Sequence, residues 1–329
     1  MTAHNPSRVI RRVLVLVVGC VFLAGAGKAF AERPPFDPGR ASFQVSVAGI
    51  VNPYHVLALP VMPGQPLSFS VKGNADDSDE AFVAVEPEQG RLDVLGPKEW
   101  RWHAPTTPGW YPMDIRHAVT GETMTFHLLV KKPRQEKRDG RMRGYRVGTY
   151  PRERFRGLDA YAVPSGLIEV PAELADLQVS PHFRLGQFLS KQPADWPQYV
   201  LVNPELLILL EHILEEANAQ GYRADTLQVL SGYRTPFYNR AIGNGKHSRH
   251  QWGDAADIYI DERAPHGRMD DLNGDGRSDR ADAQVLAEIA KRMQRELEME
   301  GGIGVYGAAP HRGPFVHVDT RGFRARWEY

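Results

Sequence analysis

Apolar and polar residues alternate over short stretches between about Ala41 and Val130. The clearest are Phe43, Val45 and Val47, then Leu67, Phe69 and Val71, then Met124, Phe126, Leu128 and Val130. A period of two puts one set of side chains on one face, so each stretch predicts a strand with one buried side. Turn signals punctuate them at Pro63-Gly64, at Asn74 with Asp76 and Asp77, at Gly96-Pro97 and at Pro108-Gly109. About seven strands in about 90 residues predict an all-β sandwich of immunoglobulin-like type over residues 32–133. This half shows no catalytic grouping and reads as a spacer or as a module that binds an envelope protein or polymer.

The period changes beyond about Gly157, where the chain reads as an α+β domain, placed at residues 181–329. Asn203-Pro204 predicts a helix start, because Asn caps free amides and Pro suits the first turn. Leu206, Leu207, Leu210, Ile213, Leu214 and Ala217 recur at helical spacing until Gly221. A second helix is predicted from about Asp282 to Met299, with Val285, Leu286, Ile289, Met293 and Leu297 on one face and Gly301-Gly302 closing it. Between the halves, residues 134–180 read as a basic linker and lead-in. Eleven Lys or Arg fall between residues 131 and 156, against Glu136, Asp139 and Glu153. Such a run predicts a solvated segment or a patch that touches anionic polymers.

The first residues predict export. Arg8, Arg11 and Arg12 precede an apolar run from Val13 to Gly27, and Ala29-Phe30-Ala31 fits a small-x-small cleavage site, so residues 1–31 read as a signal peptide bound for the periplasm or envelope. Val17-Val18-Gly19-Cys20 offers an alternative, a lipid anchor on Cys20. The full chain carries 40 basic and 40 acidic residues, and losing Arg8, Arg11, Arg12 and Lys28 leaves 36 basic ones. That balance gives no support to nucleic-acid binding. Cys20 is the sole cysteine, so a mature chain has none and a transition-metal site must come from His and carboxylates.

Two segments supply such residues. A strand at Ala255–Ile260 puts Asp257 on one face with Ala255 and Tyr259; a strand at Phe315–Asp319 puts His317 on one face with Phe315 and Asp319. His250 lies in the loop before the first. Two imidazoles and a carboxylate make a three-ligand set that leaves tetrahedral zinc one open position. Singly, each His also fits a structural role, whereas a carboxylate in an apolar strand requires a cation, a donor cluster or a metal.

Ser248-Arg249-His250-Gln251-Trp252-Gly253-Asp254-Ala255-Ala256-Asp257 resembles the Ser-x-His-x-x-Gly-x-Ala-x-Asp signature of the zinc D-Ala-D-Ala carboxypeptidases and related murein endopeptidases, which share a fold with the hedgehog signalling domain. Phe315-Val316-His317-Val318-Asp319 resembles the same family's His-x-Asp segment, and Ser231-Gly232-Tyr233-Arg234 its Arg-bearing segment. The resemblance covers roughly residues 180–329. It implies a hedgehog/DD-peptidase fold, zinc on His250, Asp257 and His317, and peptidoglycan stem peptides or crosslinks as substrate. By the same resemblance Arg234 binds a substrate carboxylate or a developing oxyanion, its bland alternative being a structural ion pair, and Asp319 orients His317. The family commonly places Glu three residues, or His two residues, before the last ligand as general base. This chain has Pro314 and Phe315 there, so His311 is the nearest substitute; a base from elsewhere, or a site that binds without turnover, stays open.

Asp271-Leu272-Asn273-Gly274-Asp275-Gly276-Arg277-Ser278-Asp279-Arg280-Ala281-Asp282 has EF-hand spacing, with side-chain oxygens of Asp271, Asn273, Asp275, Asp279 and Asp282 and the backbone carbonyl of Arg277 as expected calcium ligands. Asp282 stands where Glu is usual, as in the calcium loops of dockerins, which this segment resembles. A structural calcium that braces the segment between Asp257 and His317 is expected.

Overall fold

A computed structural model describes residues 1–2, 34–72, 82–85, 87–134, 140–262 and 265–329, of which residues 36–329 form one compact unit. The expected export signal, its cleavage site and Cys20 lie outside the described residues, as does the turn at Asn74.

The first half consists of β1 (Arg40–Val47), β2 (Ile50–Tyr54), β3 (Val56–Val61), β4 (Pro66–Lys72), β5 (Phe82–Val85), β6 (Arg91–Gly96), β7 (Glu99–His103), β8 (Gly109–His117) and β9 (Thr123–Val130). One sheet runs β2-β1-β4-β7-β6 and the other β3-β9-β8-β5. The alternating residues named above all point inward: Val45, Phe69 and Phe126 are each no more than 1% exposed. The sheets meet through ring contacts, Phe69 on Phe126 at 5.1 Å and Phe43 on Phe82 at 5.1 Å. Among the described residues there are nine strands where alternation suggested about seven. β2 and β3 are parted only by His55, and an apolar run without a turn signal hides such a break.

The basic segment is anchored to the fold at residues 132–133, 141–150 and 166–170, while residues 152–160 are mostly exposed. β10 (Lys132–Pro133) pairs with β13 (Gly166–Val170), and β11 (Arg141–Met142) makes a hairpin with β12 (Tyr145–Arg146). Tyr145, Val147 and Tyr150 are buried, and the Arg146 guanidinium lies 4.4 Å from the centre of the Phe237 ring. The basic side chains thus flank aromatic anchors that the charge count concealed.

The second half continues with β14 (Gln178–Ser180), β15 (Phe183–Arg184) and β16 (Gln198–Val200), the last paired with β13. α1 (Pro204–Ala219) follows, with the Asn203 side chain accepting the Glu205 N–H as its cap. β17 (Gln228–Ser231), β18 (Ala255–Tyr259), β19 (Gly302–Tyr306), β20 (Phe315–Asp319) and β21 (Ala325–Glu328) form the main sheet in the order β17-β18-β20-β19-β21. α2 (Pro236–Ala241) precedes β18, and α3 (Arg280–Glu296) packs on β19 and β20. α3 begins before the expected Asp282 because Asp279 caps it.

The two halves share one core, and polar contacts edge their junction. Tyr54 Oη lies 2.9 Å from His212 Nδ1, and Arg40 pairs with Glu215 at 2.8 Å. Deeper in, His182 Nδ1 lies 2.7 Å from the buried Glu211 carboxylate, and its Nε2 lies 3.0 Å from the Asp37 carbonyl. Burial pulls the His182 pKa down, but the hydrogen bond and charge of Glu211 outweigh it and raise the value. A raised folded pKa gives stability that is complete below about pH 6.5 and is lost as pH rises through the folded value. Thermal melts at pH 5.5 and 8.5 are therefore expected to show a loss at the higher pH that shrinks in His182→Gln.

Candidate metal centre

Four segments bring the site together. β17 ends at Ser231 and passes into Gly232-Tyr233-Arg234, where the Tyr233 amide donates to the Phe188 carbonyl at 2.8 Å and the Arg234 amide to the His250 carbonyl at 3.0 Å. His250 sits in a single 3-10 turn, Arg249–Trp252, closed by Gly253 at φ 76. A side chain on Gly253 would run into the Leu201 backbone, and the Gly253 carbonyl accepts the Asn203 amide at 2.8 Å. Glycine is required there by both the left-handed turn and the close approach. β18 supplies Asp257 and β20 supplies His317, and the two are direct register partners across neighbouring antiparallel strands.

Three donor atoms converge. His317 Nδ1 lies 3.0 Å from Asp257 Oδ1, His250 Nε2 lies 3.1 Å from His317 Nδ1, and His250 Nε2 lies 3.2 Å from Asp257 Oδ1. Ligand atoms at about 2.0–2.1 Å from a tetrahedral zinc stand about 3.3 Å apart, so this triangle opens by only about 0.2 Å to take one. The outer face of each ring is also fixed. His250 Nδ1 lies 2.6 Å from the Gly232 carbonyl and His317 Nε2 lies 2.9 Å from Asp319 Oδ2. Both acceptors hold the proton on the outer nitrogen and turn the inner lone pairs toward Asp257. Three acceptors facing one another in a buried site repel unless a cation lies among them.

The titration behaviour fits that picture. Burial pushes His250 down to about 4. For His317 burial acts in the same sense but is outweighed by the hydrogen bonds to Asp257 and Asp319, which raise it to about 9. In the metal-free protein a proton on His317 Nδ1 therefore stands in for the cation. Asp257 stays well below the usual carboxylate range; burial opposes this, and the charges of His250 and Arg234 outweigh it.

Arg234 is engaged from below. Its Nε donates to Ser231 Oγ at 2.7 Å and one Nη pairs with Asp257 Oδ2, leaving Oδ1 to the imidazoles. The structure thus places Arg234 in an ion pair with the carboxylate of the triangle. Asp319 holds His317 as expected, and is itself gripped by Arg321 and by the Gly302 amide at 2.8 Å. Tyr150, from the segment expected to be linker, bonds Tyr233 Oη at 2.8 Å and the Gln251 carbonyl at 3.0 Å. It braces both arms of the site, and no motif spacing announced it.

The triangle opens into a cleft of about 800 Å³. His311 is exposed and lines this cleft with Arg234, Tyr306, Phe315 and Trp327. Phe315 stacks on Tyr306 at 4.5 Å and 7° between planes, so the position where the family has a base is aromatic wall. His247 lines the cleft too and is half-buried against Phe155.

The segment 271–282 does not support calcium. Asp271 accepts the Gly274, Asp275 and Gly276 amides; Asn273 Oδ1 accepts the Asp275 amide and Asp275 Oδ1 that of Arg277. Asp279 Oδ1 caps Ala281. Asp282, fully buried, accepts the amides of Leu272 at 2.7 Å, Asn273 at 3.1 Å and Asp279 at 2.8 Å. The oxygens expected on an ion serve the loop's own backbone, and the Arg277 carbonyl has no gathered set to join. Among the described residues, ligand groups converge in two places, the triangle of His250, Asp257 and His317, and Asp261 with His266 and Asp270. In the latter Asp261 is already satisfied by the His266 and Gly267 amides and by His266 Nδ1. Asp282→Ala strands three amide donors, one of them the N–H of the α3 cap residue Asp279, so a loss of about 2–4 kcal/mol is expected in urea denaturation.

Residues 182–272 match the family model for Peptidase M15, a stretch that takes in Arg234, His250 and Asp257 and stops before His317. Comparison with curated proteins finds no match. Over the matched stretch the chain is similar to M15 peptidases, which are zinc-dependent, and that likeness supports a metallopeptidase.

Proposed function

We propose that this chain is an exported zinc peptidase that hydrolyses peptide bonds of peptidoglycan, as a D,D-carboxypeptidase or a murein endopeptidase, in cell-wall remodelling. The observation that carries this reading is the buried triangle of two imidazole nitrogens and one carboxylate oxygen at 3.0–3.2 Å, open on one side to a substrate-sized cleft. His250, Asp257 and His317 are the residues that hold the metal.

Zinc in that set supplies Lewis acidity toward a peptide carbonyl and toward water. The chain's own residues do the rest. Asp319 and the Gly232 carbonyl hold the imidazole protons outward, and Arg234 fixes the Asp257 carboxylate so that Oδ1 faces the rings. Tyr306, Phe315 and Trp327 give the cleft an aromatic wall that partly dehydrates a bound peptide. His311 on the rim is the group we assign to proton transfer. The first half, read as immunoglobulin-like, is assigned to holding the enzyme near its polymer or an envelope partner, and the N-terminal segment to export into the periplasm, by cleavage after Ala31 or anchorage at Cys20.

A second reading, a peptidoglycan-binding protein without turnover, draws on Pro314 and Phe315 at the base positions. Incubation of the zinc-loaded protein with muropeptides, read by mass spectrometry, separates the two. New fragments that vanish in His250→Ala establish the peptidase. Intact muropeptides retained by a zinc-loaded protein establish the binder.

A further inference from the structure

One rung of the main sheet runs through the metal centre and beyond it. Asp257 on β18 pairs with His317 on β20, His317 with Gly304 on β19, and Gly304 with Trp327 on β21. Partners on neighbouring strands share a face, so the carboxylate, the imidazole and the indole rise from one side, and Gly304 leaves a gap between the last two. Trp327 fills that gap. A Cβ on Gly304 would strike the indole Nε1 and Cε2, and the Trp327 ring centre lies 5.1 Å from that of His317.

Tyr306 stands two residues along β19, on the same face and one rung over, opposite Phe315. Its ring is clamped on Phe315 at 4.5 Å, and its oxygen accepts the Trp327 Nε1–H at 2.9 Å. Because that indole nitrogen lies over Gly304, the phenol oxygen leans back along the strand, toward the rung that carries His317 and Asp257. Burial raises the phenol pKa, the indole hydrogen bond opposes this, and the charge of Asp257 adds to the rise, a sign that the triangle's field reaches this oxygen. A phenol has one proton to give. Here the acceptor side is taken by the indole, and Tyr306 lines the cleft, so its proton is left for a bound group. The other donor expected to face a developing oxyanion, Arg234, is turned to Ser231 and Asp257 instead.

We propose that Tyr306 is the oxyanion donor of the cleft: its O–H hydrogen-bonds the carbonyl oxygen of the scissile bond as that oxygen gains charge. The hydroxyl keeps its proton throughout. Trp327 is the positioning residue that aims it, and Gly304 makes room for the indole to do so. That the bound group is a peptide rests on the reading given above.

The test uses the full chain loaded with zinc, with an N-acylated tripeptide ending in D-Ala-D-Ala and its phosphinate analogue, in which an anionic tetrahedral phosphorus replaces the scissile carbonyl carbon. Phosphinate binding is followed by calorimetry, zinc content by elemental analysis, and hydrolysis by release of D-Ala. Tyr306→Phe is expected to keep its zinc, to lower kcat about 100-fold with KM nearly unchanged, and to bind the phosphinate at least about tenfold more weakly. Trp327→Phe removes the N–H and keeps a ring beside His317, so a smaller loss of the same kind is expected. Tyr306-dependent phosphinate binding in a protein that cleaves nothing overturns the peptidase reading and leaves the donor standing. The proposal is overturned by phosphinate affinity that survives in Tyr306→Phe, by a raised KM with kcat preserved, by loss of zinc in that variant, or by a native protein that does not bind the phosphinate.

Discussion

Replacing His250, Asp257 or His317 with Ala is expected to abolish stoichiometric zinc, measured by elemental analysis of protein purified in equal zinc. Zinc affinities of about 10–16 kcal/mol for complete sites put each ligand at a few kcal/mol, so about 10²–10³-fold in affinity should vanish with each. Asp319→Ala is expected to cost less, about 10–100-fold, because it leaves the ligand and frees only its orientation. The metal should also compete with one proton. His317 in the metal-free protein titrates at about 9, so below that pH affinity falls about tenfold per unit as Nδ1 takes up its proton, and above it the curve levels. His250, pushed down to about 4, adds a second proton only in strongly acid solution. Calorimetry in buffers of different ionisation enthalpy should therefore count about one proton released per zinc at pH 7.5. Zero protons would show that His317 is already bare.

The largest effect on stability is expected at Arg249 and Asp254, which flank His250 in the motif without facing the triangle. Arg249 Nε lies 3.0 and 2.9 Å from the two Asp254 oxygens, and an Nη completes the fork; both side chains are almost wholly buried. The guanidinium also packs 4.1 Å from the Tyr161 ring centre and donates to the Ala160 carbonyl at 2.9 Å. Burial pushes the Asp254 pKa up to about 6 even with Arg249 beside it, which shows how strongly the carboxylate depends on its partner. Removing one member leaves the other charged and dry, a loss of about 3–5 kcal/mol. Arg249→Met and Asp254→Leu should each lower the urea midpoint sharply, and the double variant should recover much of the loss. Equal and additive losses would mean that the pair is not the source of the effect.

What sequence could tell divides by mechanism. The alternation of Phe43, Val45 and Val47 and the Asn203-Pro204 helix start rest on local geometry, and both elements form where periodicity placed them. The triangle was legible because a signature fixes His250 and Asp257 seven residues apart, while His317 needed a second short pattern and strand pairing to complete it. Tyr150 was not legible. Its role comes from contacts across long stretches of chain, and it carries no local spacing. The loop at Asp271–Asp282 shows the opposite failure. Its oxygens have the spacing of a cation site, but the same spacing lets Asp271 and Asp282 collect backbone amides, and the folded chain uses them so.

The adjacency of Asp257 and His317 on β18 and β20 has a consequence for how this scaffold can be altered. The two side chains sit 60 positions apart along the chain, yet their meeting depends on a single rung of a ladder. The loops threaded between them can be lengthened, shortened or exchanged, provided α3 still packs on β20, β19 still pairs with it and the two strands zip in the same frame. A slip by one residue would turn His317 through the sheet and dismantle the centre, and would swap the faces of the buried Val316 and Val318 with it.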